Sequence, residues 1–264
     1  MKLGLLQTNP LVGDFDGNVA AIAHAARQAV AQGAELCIAP ELAVCGYPPH
    51  DLALQQGFVA ANDRATQALV ELSADLRCGL LFGCAIANQK PWGKALHNAA
   101  ILCDSGRVVA TKRKALLPTY DVFDERRYFE PDYTPCVAEF RGQRLGLLIC
   151  EDIWTDESLL GRLDYAIDPA AQCVQSGAQL LVNISASPWG SGKHRVREQL
   201  VANAARRTGT FPVLVNQCGG NDDLIFDGAS VACDANGRTV ARAPMFAEST
   251  TVIDTRAAAP VASW

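Results

Sequence analysis

The sequence predicts an α/β domain in which mixed sheets are covered by helices, and three observations carry that expectation. Apolar runs of strand length alternate with longer stretches of helical periodicity along nearly the whole chain. Hydrophobic residues make up 49% of the chain and the net charge is only −5, far from the composition of a disordered polymer. The length, 264 residues, suits one large α/β domain or two small ones, and no low-complexity linker divides it before the tail.

The elements follow in order. Residues 3–7 read as a buried strand that runs into a turn-rich loop through Gly13 and Gly17. Between residues 18 and 32, Val19, Ile22, Ala23, Ala26, Ala29 and Val30 mark one helical face, and Gly33 stops it. A strand at 36–39 ends at Pro40-Glu41, a helix covers 58–76, and a strand covers 79–86. Residues 98–103 and 108–112 form a hairpin across Asp104-Ser105-Gly106-Arg107. The second half repeats the theme, with strands at 145–149, 180–184 and 212–216, a helix at 194–208, and a hairpin joining 231–233 to 239–241. A single domain over 1–256 is the economical reading, with 257–264 as a tail or the start of a linker.

Composition narrows the function. With 28 acidic against 23 basic side chains, the chain lacks the basic stripe a nucleic-acid binder needs. No apolar stretch reaches the ~18 residues of a membrane span. The amino terminus is too short for a signal-peptide core and shows no cleavage site, so a cytoplasmic protein is expected. Ten cysteines are present, but no two are spaced as CxxC, and most sit in apolar strings as small core residues; no metal is expected.

Three segments place a reactive side chain at or just past the carboxyl end of an apolar strand, the edge where open α/β sheets hold ligands. They are Ala39-Pro40-Glu41, Lys112-Arg113-Lys114 running on to Tyr120, and Ile149-Cys150-Glu151-Asp152-Ile153-Trp154. Taken singly, each has an ordinary explanation: a solvated loop acid, an edge lysine, a core cysteine. None of the four histidines lies in a motif resembling a protease-type Cys–His pair, although sequence distance does not exclude one. A cysteine is also activated by a buried carboxylate and supported by a nearby cation, and Glu, Lys and Cys make such a set.

In this pattern the chain resembles the nitrilase (carbon–nitrogen hydrolase) superfamily. Within it, the resemblance is nearest to the glutaminase domain of glutamine-dependent NAD synthetases. The matching stretches run in order from Gln7-Thr8-Asn9-Pro10 through Gly46-Tyr47-Pro48-Pro49-His50-Asp51-Leu52, Leu117-Pro118-Thr119-Tyr120 and Val122-Phe123-Asp124-Glu125-Arg126-Arg127-Tyr128-Phe129. They continue through Cys150-Glu151-Asp152-Ile153-Trp154 and Asn183-Ile184-Ser185-Ala186-Ser187 to Gly219-Gly220-Asn221-Asp222-Asp223-Leu224-Ile225-Phe226-Asp227-Gly228.

The resemblance implies a four-layer αββα sandwich and assigns Cys150 as nucleophile, Glu41 as general base and Lys114 as stabiliser of the oxyanion. It makes Glu125 a second acid that orients Lys114 or the substrate amide. Tyr120, Ser187 and Lys193 become substrate contacts, Glu151 pairs with the substrate ammonium or helps shape the pocket, Trp154 forms a wall and Tyr47 lies near the mouth. The implied substrate is L-glutamine, the implied cofactors are none, and the ammonia is expected to serve NAD synthesis. Two look-alikes are set aside. Trp189-Gly190-Ser191-Gly192-Lys193-His194 lacks the Ser or Thr after Lys and the upstream glycine of a phosphate loop. Cys218-Gly219-Gly220-Asn221-Asp222 lacks the serines of an ATP-pyrophosphate loop.

The departure from the family is length. NAD synthetases carry an ATP-using domain after the glutaminase, whereas this chain ends at Trp264, so that domain is expected in trans or as a part absent here. His50 and Cys45 stand where other polar or small residues are common in the family. The alternatives are a stand-alone hydrolase of another small amide or carbamoyl compound and a non-catalytic scaffold. The family also leads one to expect a homo-oligomer.

Overall fold

Each half of the chain builds most of one six-stranded sheet. The computed structural model describes residues 1–161 and 165–261. The first half holds β1 (Lys2–Gln7), α1 (Phe15–Ala31), β2 (Leu36–Ile38), α2 (Gln56–Leu76), β3 (Gly79–Ala87), β4 (Leu96–Asp104) and β5 (Arg107–Arg113). The second begins with α3 (Glu125–Tyr128), β6 (Val137–Phe140), β7 (Gln143–Ile149), α4 (Glu157–Leu160) and α5 (Pro169–Gln175). It continues with β8 (Leu180–Ser185), α6 (Lys193–Thr208), β9 (Phe211–Asn216) and a ribbon of β10 (Cys218–Asn221) with β11 (Leu224–Asp227). The chain then closes through β12 (Val231–Cys233), β13 (Thr239–Arg242) and β14 (Ser249–Asp254).

The sheet orders are β14-β1-β2-β3-β4-β5 and β13-β12-β9-β8-β7-β6. In each, three neighbouring strands are parallel, β1-β2-β3 in one and β7-β8-β9 in the other, and antiparallel strands flank them. Parallel strands are buried on both faces, which is why these segments are near-continuous apolar runs. One core joins the sheets face to face: Leu3, Leu5, Ile38 and Leu81 from the first meet Leu147, Ile149, Val182 and Val213 from the second.

Helices cover the outer faces. Ile22 and Ala26 of α1 and Leu69 of α2 pack on Leu6 and Phe82. Cys173 of α5 packs on Leu148 and Leu181, while Val201 and Ala205 of α6 pack on Leu214 and Val231. The architecture is the four-layer αββα sandwich that the resemblance implies, held by side chains each stabilising by about 1.5–3 kcal/mol on full burial.

Several elements escape a pattern reading. β14 is half-buried and threonine-rich, so it shows no apolar run, yet it pairs in register with β1, Leu3 opposite Ile253. α5 is short and opens on Pro169 with Asp168 accepting the Ala171 N–H at 3.0 Å. Beyond residue 256, Ala258 packs on the inter-sheet core and Val261 donates to the Thr239 carbonyl at 2.9 Å, so this part of the expected tail lies on the sandwich. Residues 262–264 of that tail fall outside the described residues. No helix among the described residues is long and apolar enough to cross a membrane.

Candidate active site

Glu41, Lys114 and Cys150 each follow the carboxyl end of a strand: β2, β5 and β7. Glu41 is held by a tight turn stitched to β3, with the Gly83 N–H donating to the Pro40 carbonyl and the Val44 N–H to the Gly83 carbonyl. Lys114 extends the pairing of β5, its N–H donating to the Asn98 carbonyl at 2.8 Å. Strand alternation puts Lys112 and Lys114 on the same inward face while Arg113 turns out to Asp132. Cys150 takes φ +45°, a left-handed conformation that costs a non-glycine residue about 1–3 kcal/mol.

Hydrogen bonds close the group. Lys114 Nζ donates to Glu41 Oε1 at 2.7 Å and to Glu125 Oε1 and Oε2 at 2.7 and 2.8 Å. Glu41 also accepts from Asn98 Nδ2 at 2.7 Å and from the Ala186 N–H at 2.9 Å. Glu41 and Lys114 have no exposed surface, and Glu125 and Cys150 only 4% each. Ser185 Oγ donates to Cys150 Sγ at 3.3 Å, and Asn183 Nδ2 to the Cys150 carbonyl at 3.1 Å.

Two carboxylates therefore share one buried ammonium. Burial, and next the Glu41 charge, push the Glu125 carboxyl up to about 7 against the pull of Lys114. Burial alone would lower the Lys114 ammonium, but the Glu125 and Glu41 charges outweigh it and hold it well above the ordinary lysine range. Burial also pushes the Cys150 thiol up, Glu41 adds to this, and Lys114 opposes it. Burial thus favours the neutral thiol form of Cys150. A small cavity of about 20 Å³, lined by Tyr47, His50, Glu125 and Phe129 among others, is large enough for one water behind Glu125.

The expected substrate contacts separate into two groups. Tyr120 Oη and Tyr165 Oη both donate to Glu151 Oε1, at 2.8 and 3.0 Å, and burial pushes the Glu151 carboxyl up. Lys193 Nζ stands 5.5 Å from the Phe123 ring centre and 5.6 Å from that of Trp154, and burial lowers its ammonium. Tyr120 packs edge-on against Phe123 and is 43% exposed, which places it at a rim. Ser187 is buried, accepting from Arg197 Nη1 at 3.3 Å, one residue past the N–H that binds Glu41. Tyr47 is buried and not at the mouth: its hydroxyl donates to Glu125 Oε1 at 3.0 Å. Cys45 is fully buried in an apolar cluster, whereas His50 is half-buried, 3.6 Å from Asp222.

Asn98, Ser185, Phe123 and Tyr165 belong to the site and were not singled out from the sequence. Asn98 and Ser185 did carry a signal, as polar residues inside otherwise apolar buried strands. Asn183, Ser185 and Ser187 alternate along β8 and its exit, the period that puts side chains on one face. Among the described residues, no three His, Cys, Asp or Glu side chains are grouped to hold a metal.

Comparison with known proteins bears on the family and the fold. The glutamine-dependent NAD(+) synthetase of Synechocystis sp. is 41% identical over 249 residues, 93% of this chain and 44% of that protein. That of Thermotoga maritima is 33% identical over 255 residues, 96% of this chain and 42% of the relative. The chain therefore spans less than half the length of these relatives. Among solved structures, a glutamine-dependent NAD+ synthetase from Acinetobacter baumannii matches with a TM-score of 0.83 at 33% identity, over 95% of this chain and 44% of that one. A nitrilase-superfamily amidase from Nesterenkonia matches with a TM-score of 0.82 at 25% identity, over 96% and 90% of the two chains. A variant of that amidase carries the acetamide moiety of fluoroacetamide covalently on its active-site cysteine. The carbon-nitrogen hydrolase family profile matches residues 2–263, and the chain belongs to that family.

Proposed function

We propose that the chain hydrolyses the side-chain amide of L-glutamine to glutamate and ammonia through a thioester on Cys150. We further propose that the ammonia serves the ATP-dependent conversion of deamido-NAD to NAD on a synthetase unit outside residues 1–264. The observation that carries the reading is the buried Glu41–Lys114–Glu125 cluster beside the Cys150 turn. Its relatives' names supply the substrate and the pathway.

The chemistry follows from the protonation states. The thiol is neutral at rest, so its proton passes to Glu41 as the sulfur attacks the amide carbon. Negative charge develops on the amide oxygen, where Lys114 Nζ and the backbone N–H following Cys150 stabilise it. The C–N bond breaks as the nitrogen takes the proton from Glu41, and ammonia leaves the thioester. Water then gives a proton to Glu41, attacks the thioester carbon and releases glutamate, and the proton returns to the sulfur. Glu125 holds Lys114 throughout. Free glutamine carries charges of both signs, and Lys193 with Ser187 suits its α-carboxylate while Glu151 suits its α-ammonium.

A second reading, a stand-alone amidase, is favoured by the match over 90% of the Nesterenkonia amidase chain. The test is ammonia release by purified protein from glutamine and from a panel of small amides, with and without an added synthetase domain. Preference for simple amides over glutamine would select the amidase. No turnover of any amide would leave a scaffold.

A further inference from the structure

Asp152, two residues past the cysteine, has no exposed surface, and its carboxylate reaches both halves of the site. Its Oδ1 accepts the N–H groups of Ala115 at 3.1 Å and Leu116 at 2.9 Å, the two residues directly after Lys114. Its Oδ2 accepts the N–H of Ile149, directly before Cys150, at 3.1 Å. Lys112 is 1% exposed; its Nζ stands 3.9 Å from Oδ2 and donates to the Thr134 carbonyl at 3.2 Å.

Lys114 leaves a strand of the first sheet and Cys150 a strand of the second. Between them lies an apolar layer, and apolar contact is non-directional, so it does not by itself set two reacting groups to a fraction of an ångström. Directional ties across the layer do. Glu41 to the Ala186 N–H is one; Asp152 makes another, accepting two N–H bonds across the layer, from Ala115 and Leu116, and one from Ile149 on its own side. An ionised carboxylate is the fitting side chain, because it offers two acceptor oxygens and no donor. An amide there would turn its NH₂ toward one of the backbone N–H groups.

The geometry points to Asp152 as a positioning residue for amide hydrolysis, setting the place of the Lys114 ammonium relative to the Cys150 sulfur, with Lys112 as its buried counter-charge. This rests on the roles proposed above for Lys114 and Cys150. Asp152 itself touches no reacting atom; it acts through the main chain on either side of the site.

Two variants test it. Asp152→Asn keeps the shape and loses one acceptor. Lys112→Met combined with Asp152→Asn removes both charges together, so no unpaired ammonium is left in the core, and it carries the test if the single variant does not accumulate folded. The expected result is an unchanged KM for glutamine with kcat lower by about 100-fold, the cost of roughly an ångström of misplacement. A second readout needs no substrate: the rate of Cys150 alkylation by iodoacetamide across pH, on protein shown folded by near-UV circular dichroism. The charges facing that sulfur are Glu41, Glu151 and Lys114, with Tyr47, Tyr120 and Lys193 beyond them. Displacing Lys114 removes the group that favours the thiolate, so the midpoint moves up. A merely structural role would lower the folded fraction and leave turnover per folded molecule and the alkylation midpoint at wild-type values, which overturns the proposal. Wild-type protein inactive on glutamine would sink the functional reading alone, because the alkylation midpoint still decides on Asp152.

Discussion

At the level of single residues, burial decides the chemistry. Cys150→Ala removes one sulfur from a buried position and should abolish turnover while the melting temperature changes little. Iodoacetamide should also label half-buried Cys136 slowly, so the diagnostic observation is that glutamine protects Cys150 and not Cys136. Glu41→Gln should lose thioester formation and its hydrolysis together, because one carboxylate serves both steps. Lys114→Ala should lose at least ~10²–10³-fold in kcat, the usual cost of removing an oxyanion donor. It also leaves Glu41 and Glu125 without their shared cation, so a stability loss should accompany it. A Glu41→Gln enzyme of normal rate would remove Glu41 from the mechanism.

The Glu125 carboxyl, pushed up to about 7 by burial, makes the pH dependence specific. Ionised Glu125 accepts two hydrogen bonds from Lys114, so kcat/KM should rise through pH about 7 and that limb should vanish in Glu125→Gln. The stability effect has the opposite sign. Between 4.5 and about 7 the folded protein keeps a proton that the unfolded chain has released, so this group lowers stability as pH climbs through that window. Glu125→Gln should flatten that part of the unfolding curve, measured by urea denaturation at several pH values.

At the level of elements, strand exits place the reactive groups, and close packing between main chains places the exits. Gly83 of β3 lies where a Cβ would sit 2.2 Å from the Leu42 nitrogen and 2.6 Å from the Glu41 Cα. The obstacle is backbone on both sides, which cannot swing away as a side chain would. Gly83→Ala should therefore displace the Glu41 turn, costing about 1–3 kcal/mol of stability and lowering kcat more than a comparable substitution remote from the turn. Normal kcat in Gly83→Ala would show that the turn tolerates the shift. The same logic explains the left-handed Cys150: the Asp152 and Asn183 bonds on either side hold a conformation that its own sequence does not favour.

At the level of the molecule, the chain covers less than half of its NAD synthetase relatives, and the proposed ammonia source needs a receiver. Glutamine hydrolysis should proceed without ATP, and the chain supplied with deamido-NAD, ATP and glutamine should form no NAD alone. A synthetase partner should accelerate glutamine turnover through the loops around Tyr47 to Asp51 or Thr119 to Tyr128, which flank Glu125 and Tyr120. Stopped-time ammonia assays with and without the partner measure this. NAD formed by the chain alone would refute the division of labour, and a rate indifferent to the partner would favour the amidase.

Strands and helices were legible wherever burial leaves a periodic trace, while their arrangement as a sandwich came with the family resemblance. The apolar strands at Leu36–Ile38, Gln143–Ile149 and Leu180–Ser185 stand out because parallel strands are apolar on both faces, but Glu41, Lys114 and Cys150 were set apart from ordinary loop and core residues only by the family resemblance. The amphipathic α1 and α6 were visible for the same reason, α6 to within one residue, whereas α1 starts three residues earlier than its apolar pattern because Asp14 caps it by accepting the Gly17 N–H. β14 was not legible, since its half-buried threonines take strand form through pairing with β1 at the far end of the chain. Nor was the sharing of Lys114 by two acids, 73 and 11 residues away in sequence, or the bond from Ala186, 145 residues from Glu41. Periodicity records which way a side chain faces; it holds no information on which distant group it meets. Those meetings are made only when the two sheets close, and they shift the Glu125 and Cys150 titrations on which the proposed chemistry depends.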